Sequence, residues 1–216
     1  MRIWRQLAFL LAVLAPLAAA GEMVDRIVAR VNRRVILESE VEDSLRYQAM
    51  AAGRDPARFS AEERKRAIDQ LVDQALIEAQ IDRATLVRAS KEDVERQIAT
   101  MRRQIPGASD DQGWRALLAR YGLTENDIAQ LVAEQLNIIR YVDARFRPNI
   151  HIDQRSIENY YLEQLIPQLH RDGAHEVPLG EVSGKIEEIL VEQRINDLMT
   201  LWLQSLRGQE EVQELR

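Results

Sequence analysis

The chain has 216 residues, of which 46% are hydrophobic and 30% charged, with 9 glycines, 6 prolines and no cysteine. This mixture is typical of a globular protein and excludes disordered and fibrous classes; the lack of cysteine excludes disulfide scaffolds, thiol catalysis and cysteine-ligated metal sites. The formal net charge of −6 argues against nucleic acid as the main partner, because phosphate binding requires a basic face.

Residues 1–20 have the pattern of a secretory signal peptide. Two arginines form the charged start, an apolar run follows, and three alanines precede the expected cleavage site before Gly21. The apolar stretch from Leu7 to Ala20 is shorter than the ~20 residues that span a bilayer, which disfavours an uncleaved membrane anchor. We therefore expect an exported protein, whose mature form has lost both arginines and carries a formal charge of −8 instead of −6.

The mature chain opens with a β-hairpin signal and continues into a helix. Two β-branched stretches, Ile27–Val31 and Val35–Leu37, flank Asn32, a residue that tolerates the left-handed conformation of a tight turn. Ser39 and Glu42 have the spacing of a capping box, so a helix is predicted from there to about residue 52.

Helix signals dominate the middle of the chain. Capping-box pairs precede apolar stripes of helical period at three further places, namely Ser60 with Glu63, Ser90 with Asp93, and Thr124 with Asp127. A short helix around Trp114 is expected to stop at Gly122, and the helix after Thr124 is expected to stop at Pro148. The apolar stripe of that second helix includes Ile128 and Ile139.

The last third is predicted to be two helices around an irregular break. Asp153 is a candidate N-cap, Pro167 should kink or end the first helix, and Arg171–Gly184 is the most loop-like stretch. A long amphipathic helix should follow and stop at Gly208, before a final strand in the last residues. The predicted fold class is mainly α, with a small N-terminal β-hairpin joined by a C-terminal strand and a long C-terminal helix that packs back on the N-terminal module.

The inventory of enzyme chemistry is poor. The stretch Gly180–Gly184 misplaces the serine of a nucleophile elbow, and the glycines form no phosphate-binding loop. His151, His170 and His175 lack metal-site spacing and lie in a loop-like region, so they are better explained as solvated side chains. These patterns favour a binding protein without a cofactor or metal over an enzyme.

Several segments resemble the periplasmic chaperones of the SurA family. Val24–Val41 is similar to the opening motif of that family, and the resemblance continues in the Q-L-V-D-Q-A-L-I run from Gln70 to Ile77, in Ser90–Val94 and near Trp202. It implies a periplasmic chaperone that binds unfolded outer-membrane β-barrel proteins in transit, in a shallow apolar crevice of a helical module.

One departure from the family bears on mechanism. Its members usually carry parvulin prolyl-isomerase domains where this chain has only residues 153–184, and roughly 30 residues cannot build the core of such a domain. We therefore expect a signal peptide at 1–20, a helical module at 21–152, a connector helix and loop at 153–184, and a C-terminal helix and strand at 185–216 that complete the module. A holdase without isomerase activity is the resulting hypothesis.

Two groups of residues are candidates for client binding. The third and fourth helical segments are expected to form a narrow arm, which would leave apolar side chains exposed. The second group is two tyrosines before the loop. The candidates are Met101, Ile105, Trp114, Leu117, Leu118, Tyr160 and Tyr161. Two other functions stay open, a prolyl isomerase and an adaptor that docks one folded partner. A homodimer with exchanged arms is a further alternative.

Overall fold

The computed structural model describes residues 25–56, 58–81 and 88–215, so the expected signal peptide lies outside the described residues. The elements are β1 (Ile27–Val31), β2 (Arg34–Leu37), α1 (Glu38–Ala51), α2 (Ala61–Ile81), α3 (Lys91–Gln104), α4 (Asp111–Tyr121), α5 (Glu125–Phe146), α6 (Gln154–Tyr160), α7 (Ile166–Arg171), α8 (Leu179–Gln209) and β3 (Val212–Glu214). A mainly helical chain with one small sheet is confirmed.

The sheet joins the two ends of the described chain. Its strand order is β2-β1-β3, with both pairs antiparallel and Arg30 opposite Gln213. Asn32 takes the left-handed turn position at φ 54°, which asparagine tolerates. Its side-chain oxygen accepts a hydrogen bond from the backbone N–H of Glu211 at 3.2 Å. The predicted hairpin and final strand are therefore confirmed.

Most of the predicted helix starts are confirmed. Ser60, Ser90, Thr124 and Asp153 each accept a hydrogen bond from the backbone N–H three residues later. The cap predicted at Ser39 is wrong, because α1 begins at Glu38 and its cap residue lies two positions before Ser39.

At the start of α1, the cap residue is Leu37, whose backbone N–H donates to Glu40 Oε2 at 2.8 Å. The Ser39 hydroxyl instead donates to the carboxylate of Asp25. Glu40, at the third helical position, thus accepts a hydrogen bond from the backbone N–H of the cap residue, although Leu37 itself has no polar side chain.

The irregular break in the last third is shorter than predicted. A π-helical turn at Tyr161–Leu165 links α6 to α7 just before Pro167, which cannot donate a hydrogen bond and crowds the carbonyl four residues back. Helix α8 begins at Leu179, so Gly180 and Gly184 lie inside the helix. It also runs past Gly208, the predicted stop, to Gln209.

The buried residues form two main clusters and a smaller third one. The first contains side chains of the sheet, α1, α2 and the end of α8, and Leu76 is its best buried large residue, at 0% exposure. The second joins α1 to α3, α4 and α5 around Trp114 and Ile128. Helices α3 and α4 therefore do not stand apart as a narrow arm, because they pack on α5 and α1.

Helix α8 packs against different helices with opposite faces at different points along its length. It contacts α6, and each of these helices buries an isoleucine, Ile157 and Ile186. Further along, Ile195 is buried where α8 contacts α2 and α5. Ile186 and Ile195 are nine residues apart, about 2.5 helical turns, so they project from opposite sides. One helix thus connects the α6–α7 segment to the core and forms a wall of the groove described next.

Candidate functional site

An open groove with a volume of about 740 Å³ lies between α1, α2, α5 and α8. Helices α1 and α2 contact one another and α5 crosses α2, while α8 returns from the far end of the chain to close one side. The groove therefore depends on contacts between segments that are distant in sequence.

Apolar side chains form much of the groove lining. Ile139 is the most exposed of them, at 55%, although it lies in the stripe that the sequence assigns to the inward face of α5. The apolar lining residues are Ile77, Leu131, Ile138, Ile139, Val142, Ile195, Met199 and Leu203. An apolar surface that stays open to solvent in this way is typical of a site for another apolar molecule.

Amide side chains line the same groove. Gln48 Nε2 donates to Ser44 Oγ at 3.2 Å and to Gln70 Oε1 at 3.0 Å, which links α1 to α2 across the groove floor. The remaining amide residues of the lining are Gln74, Gln135 and Asn196. Unlike the first pair, the amide groups of these three side chains have no hydrogen-bond partner among the described residues.

Ion pairs fix the groove walls at two places. Arg147 bonds to Asp143 and to Glu192 of α8, and these hydrogen bonds raise the pKa of the Arg147 guanidinium. Arg207 of α8 donates through Nε to Asp73 Oδ1 at 2.7 Å, and this hydrogen bond raises the pKa of Arg207. Charge pairing therefore ties α8 to α5 on one side and to α2 on the other.

An aromatic cluster holds α8 against α5. The ring of Trp202 lies 5.9 Å from that of Tyr141 and 5.8 Å from that of Phe146. The Arg145 guanidinium lies 4.7 Å above the Trp202 ring, within cation–π range. This packing positions the α8 wall, since Leu203 next to Trp202 lines the groove.

The residues proposed from the sequence lie outside the lining of this groove. Trp114 and Leu118 are buried in the second cluster, and Met101, Ile105 and Leu117 are half-buried against it. The list of proposed residues is completed by Tyr160 and Tyr161, both half-buried in the α6 region.

Two of these residues nevertheless lie beside a groove. Trp114 lines a second groove of about 520 Å³, together with Ile98 and Ala129. Met101 accepts a hydrogen bond at 3.8 Å from the hydroxyl of Tyr47, which lines the first groove. Burial raises the pKa of this tyrosine.

A polar cavity borders the groove beyond Gln74 and Leu131. Arg34 lies in it with Glu40, at 2.7 Å, and near Glu134, whose pKa burial raises. Within the described part of the chain, no three His, Cys, Asp or Glu side chains are grouped so that they could hold a metal ion. His170, in the last turn of α7 and not in the predicted loop, pairs at 2.7 Å with Glu176 of the exposed loop before α8.

Comparisons with known proteins agree with this architecture. Residues 3–141 match the model of a family described as the SurA-like N-terminal domain. The chain is also 28% identical over 151 residues to the chaperone SurA of Pseudomonas putida. That alignment covers 68% of this chain but only 34% of the relative, so the match spans about a third of the relative's length. Because the family match extends over more than half of its residues, the chain belongs to the family of SurA-like N-terminal domains.

Proposed function

We propose that this protein is a periplasmic holdase that binds unfolded outer-membrane proteins in the groove between α1, α2, α5 and α8. The observation that carries the proposal is an open apolar groove in a member of a chaperone-type domain family. The similar protein from Pseudomonas putida is named a chaperone, which supports a role in handling other polypeptides.

The physical properties of the groove suit transient binding. Ile139 keeps 55% of its surface exposed until another molecule covers it, and the half-buried apolar residues around it extend this surface. Association is therefore driven by the hydrophobic effect and has no fixed sequence requirement. Met199 adds an adaptable side chain that can pack against differently shaped partners. The net negative charge keeps such a surface soluble.

We propose a division of labour along the chain. Residues 1–20 direct export and are removed, residues 21–152 and 185–216 build the binding module, and residues 153–184 connect its two parts. In the described structure this connector consists of α6, the π turn, α7, the loop and the start of α8. Among the described residues, no helix is both long enough and apolar enough to cross a bilayer.

We propose a secondary contact surface for clients on α3 and α4. It consists of Met101, Ile105 and Leu117, and it is supported by the buried Trp114 and Leu118 of the second cluster. Their half-buried position leaves part of each of the first three side chains for a client. Tyr160 and Tyr161 are proposed as contacts on the connector. A client that spans the groove and these patches would bind by several weak contacts.

The decisive experiment is suppression of aggregation. A urea-unfolded outer-membrane β-barrel protein is diluted into buffer with increasing amounts of residues 21–216, and light scattering is recorded. A dose-dependent decrease supports the holdase. Unchanged scattering at a large molar excess would refute it, with an unrelated acidic helical protein as the blank.

The proposal also excludes prolyl isomerisation by this chain. A protease-coupled assay with a proline-containing peptide measures the cis-to-trans rate. We expect the rate with residues 21–216 to equal the uncatalysed rate. Clear turnover by the purified protein would instead favour the isomerase alternative.

A further inference from the structure

Much of the neutral hydrogen-bonding capacity that the groove still has free is amide. Its charged lining groups are already engaged, with Asp73 bound to Arg207, and with Asp143 and Glu192 bound to Arg147. By contrast, the side-chain amides of Gln74, Gln135 and Asn196 have no hydrogen-bond partner among the described residues. These three amides come from α2, α5 and α8, so they face the groove from three of its walls.

A peptide group is the natural partner of such amides. Each side-chain amide carries N–H donors and a carbonyl acceptor in one plane, the same pair of functions that a backbone peptide group presents. A peptide backbone that enters an apolar groove loses its hydrogen bonds to water, and leaving these groups unpaired is costly. Neutral amides can replace those bonds without burying a charge.

The dimensions of the groove fit an extended segment. On α5 the lining runs from Leu131 to Asp143, which corresponds to about 18 Å along the helix axis. An extended chain covers this distance with about five residues. A bound helix would not use the free amides, because its own backbone groups are paired internally.

We propose that the groove binds extended segments of unfolded polypeptide through their backbone, with Gln74, Gln135 and Asn196 as hydrogen-bonding partners and the apolar wall covering alternate side chains. This inference rests on the proposed holdase function and adds the mode of recognition. It explains how one groove accepts many sequences, since every client offers the same peptide groups. Specificity for unfolded chains follows, because folded proteins have satisfied these groups already.

The test compares two peptides that differ only in the backbone. The first is a fluorescein-labelled nonapeptide of alternating leucine and threonine with a lysine at each end. The second has the same side chains, but three central peptide groups are replaced by esters, which removes three N–H donors. Fluorescence anisotropy with residues 21–216 gives both dissociation constants. We expect the ester peptide to bind at least about tenfold more weakly.

Variants locate the effect within the groove. The double variant Gln74→Leu/Gln135→Leu keeps side-chain size and should weaken binding of the first peptide by about tenfold, and binding of the ester peptide by a smaller factor, because that peptide has already lost three N–H donors. The matched control Gln97→Leu/Gln168→Leu removes two exposed amides outside the groove and should bind both peptides as the unmodified protein does. Circular dichroism verifies that each variant is folded.

Each outcome decides the question. If both peptides bind equally and Ile139→Ala weakens both, the groove binds clients by apolar contact or as a helix, and backbone recognition is wrong while the holdase survives. If the double variant and its control behave alike, the inference is likewise wrong. If neither peptide binds but aggregation is still suppressed, extended segments are not held in this groove. If neither peptide binds and aggregation continues, both proposals fall.

Discussion

Replacing Ile139 with alanine tests the groove without disturbing the fold. Ile139 lies on α5 and is 55% exposed although it is a large apolar residue. Alanine has the highest helix propensity, so the backbone of α5 gains rather than loses stability. Because the side chain contributes little to the core, we expect the free energy of unfolding to change by less than about 0.5 kcal/mol.

The expected loss of client affinity follows from the exposed fraction. Fully burying an isoleucine side chain is worth about 1.5–3 kcal/mol. Since 55% of Ile139 is still exposed, a client that covers it recovers only about half of that value, and alanine retains part of the contact. The substitution should therefore cost about 1 kcal/mol of binding free energy, or about fivefold in Kd.

The assay is fluorescence anisotropy with a labelled, unfolded fragment of an outer-membrane barrel protein, combined with urea unfolding of each variant. Leu201→Ala is the matched control, because Leu201 on α8 is 63% exposed but does not line the groove. We expect only Ile139→Ala to weaken binding. Equal affinity of the two variants, with both folded, would refute the assignment of the groove as the client site.

Three further predictions concern how the groove walls are held. Trp202→Ala should lower the free energy of unfolding by about 3 kcal/mol in urea titrations, because the half-buried indole stacks with Tyr141 and supports α8. Arg207→Met should cost about 1 kcal/mol in dilute buffer and clearly less in 1 M NaCl, since it removes a partly exposed ion pair with Asp73; an unchanged difference in salt would contradict this. Glu63→Gln should lower the thermal midpoint at pH 7. The backbone hydrogen bond at the start of α2 holds the pKa of Glu63 at about 2, below its usual 4.5, so its stabilisation is present above pH 4.5 and is lost as the pH falls towards 2. The midpoints of the two proteins should therefore converge between pH 4.5 and pH 2, and parallel curves would show that Glu63 is not the responsible group.

Local signals predict the elements of this fold well because their causes are local. The boxes at Ser60, Ser90 and Thr124 need only residues three apart, and the structure shows each of the corresponding hydrogen bonds. The error at Ser39 has a tertiary cause, because Asp25, fourteen residues earlier, binds its hydroxyl. A side chain that can cap a helix can equally bond elsewhere, and sequence spacing alone does not distinguish the two.

Helix α8 shows a second limit of sequence patterns. Its apolar residues do not form one stripe, since Ile186 and Ile195 lie on opposite sides of the helix. A search for one inward face assigns both isoleucines to the same stripe. The two glycines near the start of α8 are typical of a loop. The helix is stable there because α6 packs on one face, while the core and the groove take the other. Only the assembled structure shows that these two surfaces belong to different partners.

Sequence patterns do not predict the groove, for a related reason. An apolar side chain that packs in a core and one that lines an empty groove have the same chemistry and the same helical spacing. Ile128 and Ile139 both belong to the predicted stripe of α5, yet the first is 0% exposed and the second is 55% exposed. Ile128 is covered by side chains of α1, α3 and α4, whereas Ile139 lines the groove, whose α8 wall Arg207 ties to Asp73, 134 positions earlier. Which apolar residues of α5 are buried is therefore decided by the distant segments that pack beside this helix, and not by the spacing along the helix itself.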